Sequence, residues 1–158
     1  MPRVNPKAAT GALAAMLAIA TPFVASWEGK SNNPHWDAIG KVYDVCYGDT
    51  QAELRYYSDA ECLGLLKTRL GDYARPVLAR NPELIDHPKL LAAATSLSYN
   101  VGNANYAKST VAKRFTARDW QGACDAFLAW RFAKGKEIRG LLNRRKAERA
   151  LCIQGIPK

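Results

Sequence analysis

The chain carries only two histidines, His35 and His87, and none of its four cysteines stands in a C-x-x-C pair or beside a histidine at a metal-ligand spacing. That scarcity excludes the usual zinc frameworks, and no metal site is expected. No glycine loop of the kind that cradles phosphates occurs, and no nucleophile elbow. Repeats are absent, as is any linker long enough to divide 158 residues, so one folded unit with a substantial core is expected. Acidic residues are in short supply: 14 Asp plus Glu face 23 Lys plus Arg, a net charge of +9. Such a chain is drawn to anionic partners, whether nucleic acid, lipid headgroups or a cell-wall polymer. Nucleic acid fits worst, because the basic residues are not interleaved with aromatics.

Between Lys7 and Glu28 there is no charge of either sign. Ala8–Trp27, preceded by Arg3 and Lys7, is twenty residues long, about 30 Å as a helix and just enough to cross a hydrocarbon core. Eight of those residues are Ala, and Thr10, Gly11, Thr21, Pro22 and Ser26 dilute the segment further. Insertion into a bilayer is therefore expected to be marginal. Three readings follow: a cleaved signal peptide with Ala18-Ile19-Ala20 as its site, a retained anchor, or a buried helix of a soluble protein. Export is favoured over the last. Four cysteines in an exported chain fit two disulfides. Sequence proximity favours Cys46–Cys62 and Cys124–Cys152.

After Trp27 comes a turn-rich stretch to Gln51, containing Asn32-Asn33-Pro34, Gly40 and Gly48-Asp49, with short β-like pieces at 41–43 and 45–47 that suggest a small hairpin. From Ser58 the pattern becomes helical. Ser58-Asp59-Ala60-Glu61 is a capping box, and Leu63, Leu66, Leu70, Tyr73 and Val77 recur at helical spacing, with Pro76 positioned to kink or restart the helix. Pro88 opens a further helix that stops near Gly102; Ser109, Asp119 and Gly140 mark the starts of three more. The expected class is α+β, a small strand-rich lobe followed by a helical body.

Glu28 follows Phe23, Val24 and Trp27, a setting that desolvates a carboxyl and favours its protonated form. Asp37 and Asp44 lie in polar, turn-rich sequence where a carboxylate stays ionised. One neutral and one charged carboxyl is the division of labour in glycoside hydrolysis. By residue pattern alone, solvated surface carboxylates remain the plainer reading.

Trp27-Glu28-Gly29, Asp37 nine residues beyond the Glu, and Val45-Cys46-Tyr47-Gly48-Asp49-Thr50 resemble the active-site segment of the phage-type lysozymes, glycoside hydrolase family 24. Ser98-Tyr99-Asn100-Val101-Gly102, Lys108-Ser109-Thr110, Gly122-Ala123-Cys124-Asp125, Trp130 and the run from Gly140 through Asn143-Arg144-Arg145, Glu148-Arg149 and Cys152 continue the resemblance in order. It implies a lysozyme-like fold, a small β-hairpin lobe and a larger helical lobe with the cleft between them. It also implies a cofactor-free muramidase, acting as a monomer on peptidoglycan glycan strands and cleaving between N-acetylmuramic acid and N-acetylglucosamine. Glu28 is then the general acid, and Asp37 orients water or stabilises the cationic transition state.

Six residues after Asp37, where the family has Thr, stands Tyr43; aligning the Val-Cys-x-Gly segments instead places Asp44 there, to assist the water. A salt-bridge or turn role for Asp44 competes. Tyr99, Asn100, Ser109 and Thr110 match positions lining the family's saccharide cleft, against core packing for Tyr99 and helix capping for Ser109. Thr50 is read as a turn residue. The uncharged N-terminus resembles that of signal-anchor-release endolysins, with residues 1–27 as a releasable membrane segment and 28–158 as the catalytic domain. Such an enzyme is held at the periplasmic face of the host inner membrane and then freed into the periplasm.

The uncharged run 8–27 and the basic C-terminal third together invite another reading. Residues 131–149 hold eight basic residues against Glu137 and Glu148, read here as a solvated basic face with an Arg or two paired to acids. A cationic membrane-permeabilising protein without glycosidase activity is the competing function.

Overall fold

A computed structural model describes residues 6–158; Arg3 and the rest of residues 1–5 lie outside the described residues. The uncharged N-terminus forms helix α1 (Pro6–Ala25). One face of it is buried and the opposite face is built of small residues. Met16, Ala20 and Val24 are fully buried in the main core, with Leu13, Leu17, Ile19 and Phe23 packed against it, while Gly11, Ala14, Ala15 and Ala18 face solvent. In this arrangement α1 and the rest of the chain share one core. Among the described residues, no helix is long and apolar enough to cross a membrane.

Strands β1 (Ser31–Asp37) and β2 (Val42–Cys46) pair antiparallel, with His35 opposite Asp44 and Asp37 opposite Val42. Asn32-Asn33-Pro34, expected as a turn, lies inside β1. The two β-like pieces expected at 41–43 and 45–47 instead fall largely within one strand. Proline is tolerated there because each strand of a two-stranded sheet is an edge, and the register is irregular between Ser31 and His35. Asn32 ties the strand to the helical lobe, its side-chain amide reaching the Tyr57 carbonyl (2.8 Å) and Asp59 Oδ1 (2.8 Å).

Helix α2 (Asp59–Arg80) begins at the expected capping box: the Ser58 hydroxyl accepts the Glu61 amide, and Glu61 accepts the Ser58 amide. It runs unbroken through exposed Pro76. Helix α3 (Pro88–Val101) is the hub, with every residue from Leu90 to Ser98 buried. Gly102 ends it at φ 90°, a left-handed backbone that side-chain-bearing residues resist. Short helices α4 (Asn103–Lys108), α5 (Thr110–Thr116) and α6 (Trp120–Ala126) follow, then a minimal hairpin, β3 (Phe132–Ala133) with β4 (Lys136–Glu137), and α7 (Arg139–Gln154). The sequence pattern indicated neither α4 nor this second hairpin; both are too short for periodicity to register.

Disulfides join Cys46 to Cys62 and Cys124 to Cys152. The first pins β2 to α2 within a small satellite core of Val45, Cys46, Tyr57 and Cys62; the second joins α6 to α7. The result is α+β, a hairpin lobe against a helical lobe.

Candidate active site

Glu28 lies just beyond the C-terminal end of α1, its amide donating to the Val24 carbonyl (3.1 Å). Where sequence placed apolar neighbours around its carboxyl, the fold adds a cation: Arg144 Nη1 stands 2.7 Å from Glu28 Oε1. Arg144 is buried and reaches Glu148 Oε1 through Nε (3.3 Å). Arg145, also buried, stands 2.7 Å from Glu148 Oε2 and donates to Asn100 Oδ1 (3.0 Å). The Ser96 hydroxyl donates to Glu148 Oε1 (2.6 Å).

The expectation of an Arg or two paired to acids falls on Arg144 and Arg145, and both are buried in doing so. Arg144 and Arg145 stand four and three residues before Glu148 on α7, so one helix face gathers two cations around one anion, and Glu28 adds the second. Burial pushes the Glu148 carboxyl upward against the pull of both guanidiniums and Ser96, and burial likewise pulls the Arg145 guanidinium down.

Between the lobes lies a cleft of about 290 Å³, with Glu28, Tyr47, Asp49, Arg69, Tyr99 and Asn100 among its lining residues. Thr50, Gln51 and Tyr73 complete much of its polar and aromatic wall. Tyr99 meets Tyr73 edge to face at 5.1 Å and donates its hydroxyl to the Tyr47 carbonyl (3.1 Å). Burial, then the negative charge of Glu28, pushes its phenol up to about 12. Asn100 has its amide oxygen taken by Arg145, a donor-only group, which leaves the NH2 end for the cleft.

Asp49 escaped the sequence reading although its motif was noticed. Val45 and Asp49 exchange both backbone bonds (3.0 and 2.9 Å) around a tight turn in which Gly48 takes φ 79°. The turn aims the Asp49 carboxylate inward, where Arg69 Nε (2.8 Å) and the amides of Gln51 (2.8 Å) and Ala52 (2.9 Å) bind it. Burial alone would raise that carboxyl; the hydrogen bonds outweigh it and hold Asp49 below the ordinary range. Thr50, read as a turn residue, lies beyond this turn on the cleft wall.

Asp44 lines an adjoining depression of about 320 Å³ with Gly29, Lys30, Ser31, His35, Cys46 and Gly48. Gly48 belongs to both hollows; Glu28 lines the first and Asp44 the second. Asp37 stands at the far end of β1, opposite Val42, where its Oδ1 accepts the Ile39 amide (2.9 Å). Alternation in the strand pair puts Asp37, His35 and Asp44 on one face of the hairpin, and exposed Trp36 and Tyr43 on the other. The residues lining the two hollows do not include Asp37.

The remaining candidates fall elsewhere. Ser109 is buried and caps α5, accepting the Ala112 amide (3.0 Å). Thr110 lines a separate hollow with Arg114, Gly122, Asp125, Ala126 and Ala129.

The profile of the phage lysozyme family matches residues 25–148. The SAR-endolysin of Enterobacteria phage P21 is 38% identical over 133 residues, 81% of this chain and 78% of that protein. Among solved structures, the active form of the P1 phage endolysin Lyz matches with a TM-score of 0.73 at 19% identity, over 92% of this chain and 96% of that one. The secreted inactive form of the same endolysin matches at 0.51, again with 19% identity and over 99% of each chain. Family-wide sequence similarity thus spans Glu28, the hairpin and the Arg144–Glu148 network, and the chain belongs to the phage lysozyme family.

Proposed function

We propose that this lysozyme is an endolysin, a muramidase that hydrolyses the β-1,4 bond between N-acetylmuramic acid and N-acetylglucosamine in peptidoglycan. The observation that carries the reading is Glu28 in the wall of the inter-lobe cleft, its carboxyl held by buried Arg144. Glu28 gives its proton to the glycosidic oxygen as the C–O bond breaks. Asp44, in the adjoining depression, takes a proton from the water that adds to the anomeric carbon, and Asp37, on the hairpin face it shares with Asp44, orients that water or stabilises the developing cation. Carboxyls about 6.5–9.5 Å apart leave room for that water and give inversion, whereas about 5–5.5 Å gives retention. Tyr99 and Asn100 supply an aromatic wall and an amide donor to the sugar. Ser109, a buried cap of α5, and Thr110, in a separate hollow, are left with structural roles.

Before activity, residues 8–27 hold the exported enzyme at the inner membrane, and the described arrangement is the released one. The alanine-rich exposed face of α1 supports this, because such a face costs little in either solvent.

Mass spectrometry of peptidoglycan digested by the wild type and by Glu28→Gln tests the chemistry. Hydrated muramic acid reducing ends that disappear in the variant are expected. Anhydro ends would make the enzyme a transglycosylase, and equal lysis by both proteins would favour a membrane-permeabilising action.

A further inference from the structure

The hairpin brings His35 directly opposite Asp44 in the strand register, with Nδ1 3.5 Å from Asp44 Oδ1. That is ion-pair distance, longer than a good hydrogen bond. The two side chains differ in exposure: 62% for His35 and 21% for Asp44. Among the described residues, His35 is the one side chain in ion-pair contact with Asp44.

The other charged groups nearby are already committed. Lys30 lines the same depression, but its ammonium is bound by Asp59 of α2. Asp37, two residues along the same face, holds the Ile39 amide. Glu28, beyond Gly48, is paired with Arg144.

We propose that His35 is a positioning residue for the hydrolytic reaction, its imidazole holding the Asp44 carboxylate oriented beside the attacking water. A carboxylate in place of a hydroxyl at this point of the hairpin has two oxygens and free rotation about χ2. A water held by one oxygen is well aimed only when the other is fixed. His35 occupies the cross-strand position from which Oδ1 can be fixed, leaving Oδ2 for the water. Because His35 is largely exposed and outside both hydrophobic cores, its removal leaves the fold intact. The proposal rests on the muramidase reading and adds a residue to it.

The test is steady-state kinetics on a soluble chitooligosaccharide or peptidoglycan fragment with His35→Ala, His35→Arg, Asp44→Asn and the double variant His35→Ala/Asp44→Asn. Glu28→Gln is carried as the control, and thermal midpoints confirm folding. His35→Ala is expected to lower kcat about tenfold with KM unchanged, and His35→Arg, which returns an N–H donor to the position beside Asp44, to recover most of that loss. In the Asp44→Asn background the His35→Ala change should have no further effect, the signature of two groups acting as one. Wild-type kcat in His35→Ala, or an equal loss in His35→Arg, overturns the proposal, as does an undiminished His35→Ala effect in the Asp44→Asn background. Activity surviving in Glu28→Gln would instead overturn the muramidase reading itself.

Discussion

Asp49 and Arg69 connect chemistry to stability most directly. Their pair sits in the cleft wall, with only 5% and 23% of the side chains exposed, and Asp49 also anchors the turn that presents Gly48. The folded carboxyl lies below its unfolded value, so the stability it contributes is complete above the unfolded pKa of about 3.9 and is lost as pH falls through the lower folded value. Arg69→Met removes the cation and leaves Asp49 buried. Chemical denaturation should find that variant about 2 kcal/mol less stable at pH 7, with the gap closing as pH drops below about 4. Asp59, Glu61, Asp119 and Asp125 are also held low and give acid sensitivity of the same sign, but equally in both proteins, so the difference isolates the cleft pair. A gap that persists at low pH would mean that Arg69 acts by packing alone.

Helix α1 has two solvents to satisfy if it begins in a membrane and ends in a core. Its buried stripe is of ordinary core character, Met16, Ala20 and Val24, but Thr21 Oγ1 is buried without a hydrogen-bond partner. An unpaired buried hydroxyl costs about 1–3 kcal/mol, so this helix is held less tightly than its packing permits. The exposed face, Ala14, Ala15 and Ala18, can change without touching the core. Replacing these three alanines with leucine adds about nine methylene equivalents at roughly 0.8 kcal/mol each in favour of lipid. Fractionation of expressing cells should find this variant retained with the membrane and lysis delayed, while the wild type passes to the soluble fraction. Unchanged partition would remove α1 from the membrane scheme.

At the scale of the molecule, two covalent links brace the lobes. Cys46–Cys62 closes a 16-residue separation and fastens the hairpin to α2; Cys124–Cys152 closes 28 residues and fastens α6 to α7 behind the Arg144–Glu148 network. Loop-closure entropy assigns roughly 3 kcal/mol to each. Cys124→Ala with Cys152→Ala should therefore lower the thermal midpoint by about 10 °C while leaving the cleft assembled, as calorimetry and the residual activity of the folded protein at low temperature can show. The surface charge is less concentrated than the linear sequence implies. Of the eight basic residues in 131–149, Arg144 and Arg145 are internal, and Arg131 and Arg149 are paired with Glu137 and Asp125. Attraction to an anionic wall is thus spread over the molecule.

Local signals were legible wherever one residue type does one physical job. The capping box at Ser58, Pro88 at a first turn, Gly102 at a stop and the pairing of neighbouring cysteines all depend on short-range geometry, and each stands in the structure as read. Motif spacing singled out Glu28, Tyr99 and Asn100, which line the inter-lobe cleft, and Asp44, which lines the adjoining depression. The strand through Asn32-Asn33-Pro34 was not legible, because an edge strand with an irregular register accepts residues that otherwise mark turns. Nor was the inward turn of Arg144 and Arg145. A run of charges along one helix reads as solvated until the partners arrive from elsewhere, and Glu28 is 116 residues away from Arg144 in the chain. The amino-acid sequence by itself determined the longer helices, the Ser58, Ser109 and Asp119 caps and the disulfide pairs, because those follow from backbone and side-chain preferences within a few turns. Only the tertiary structure decided which of those charges share a buried network, because that depends on long-range packing that desolvates them together.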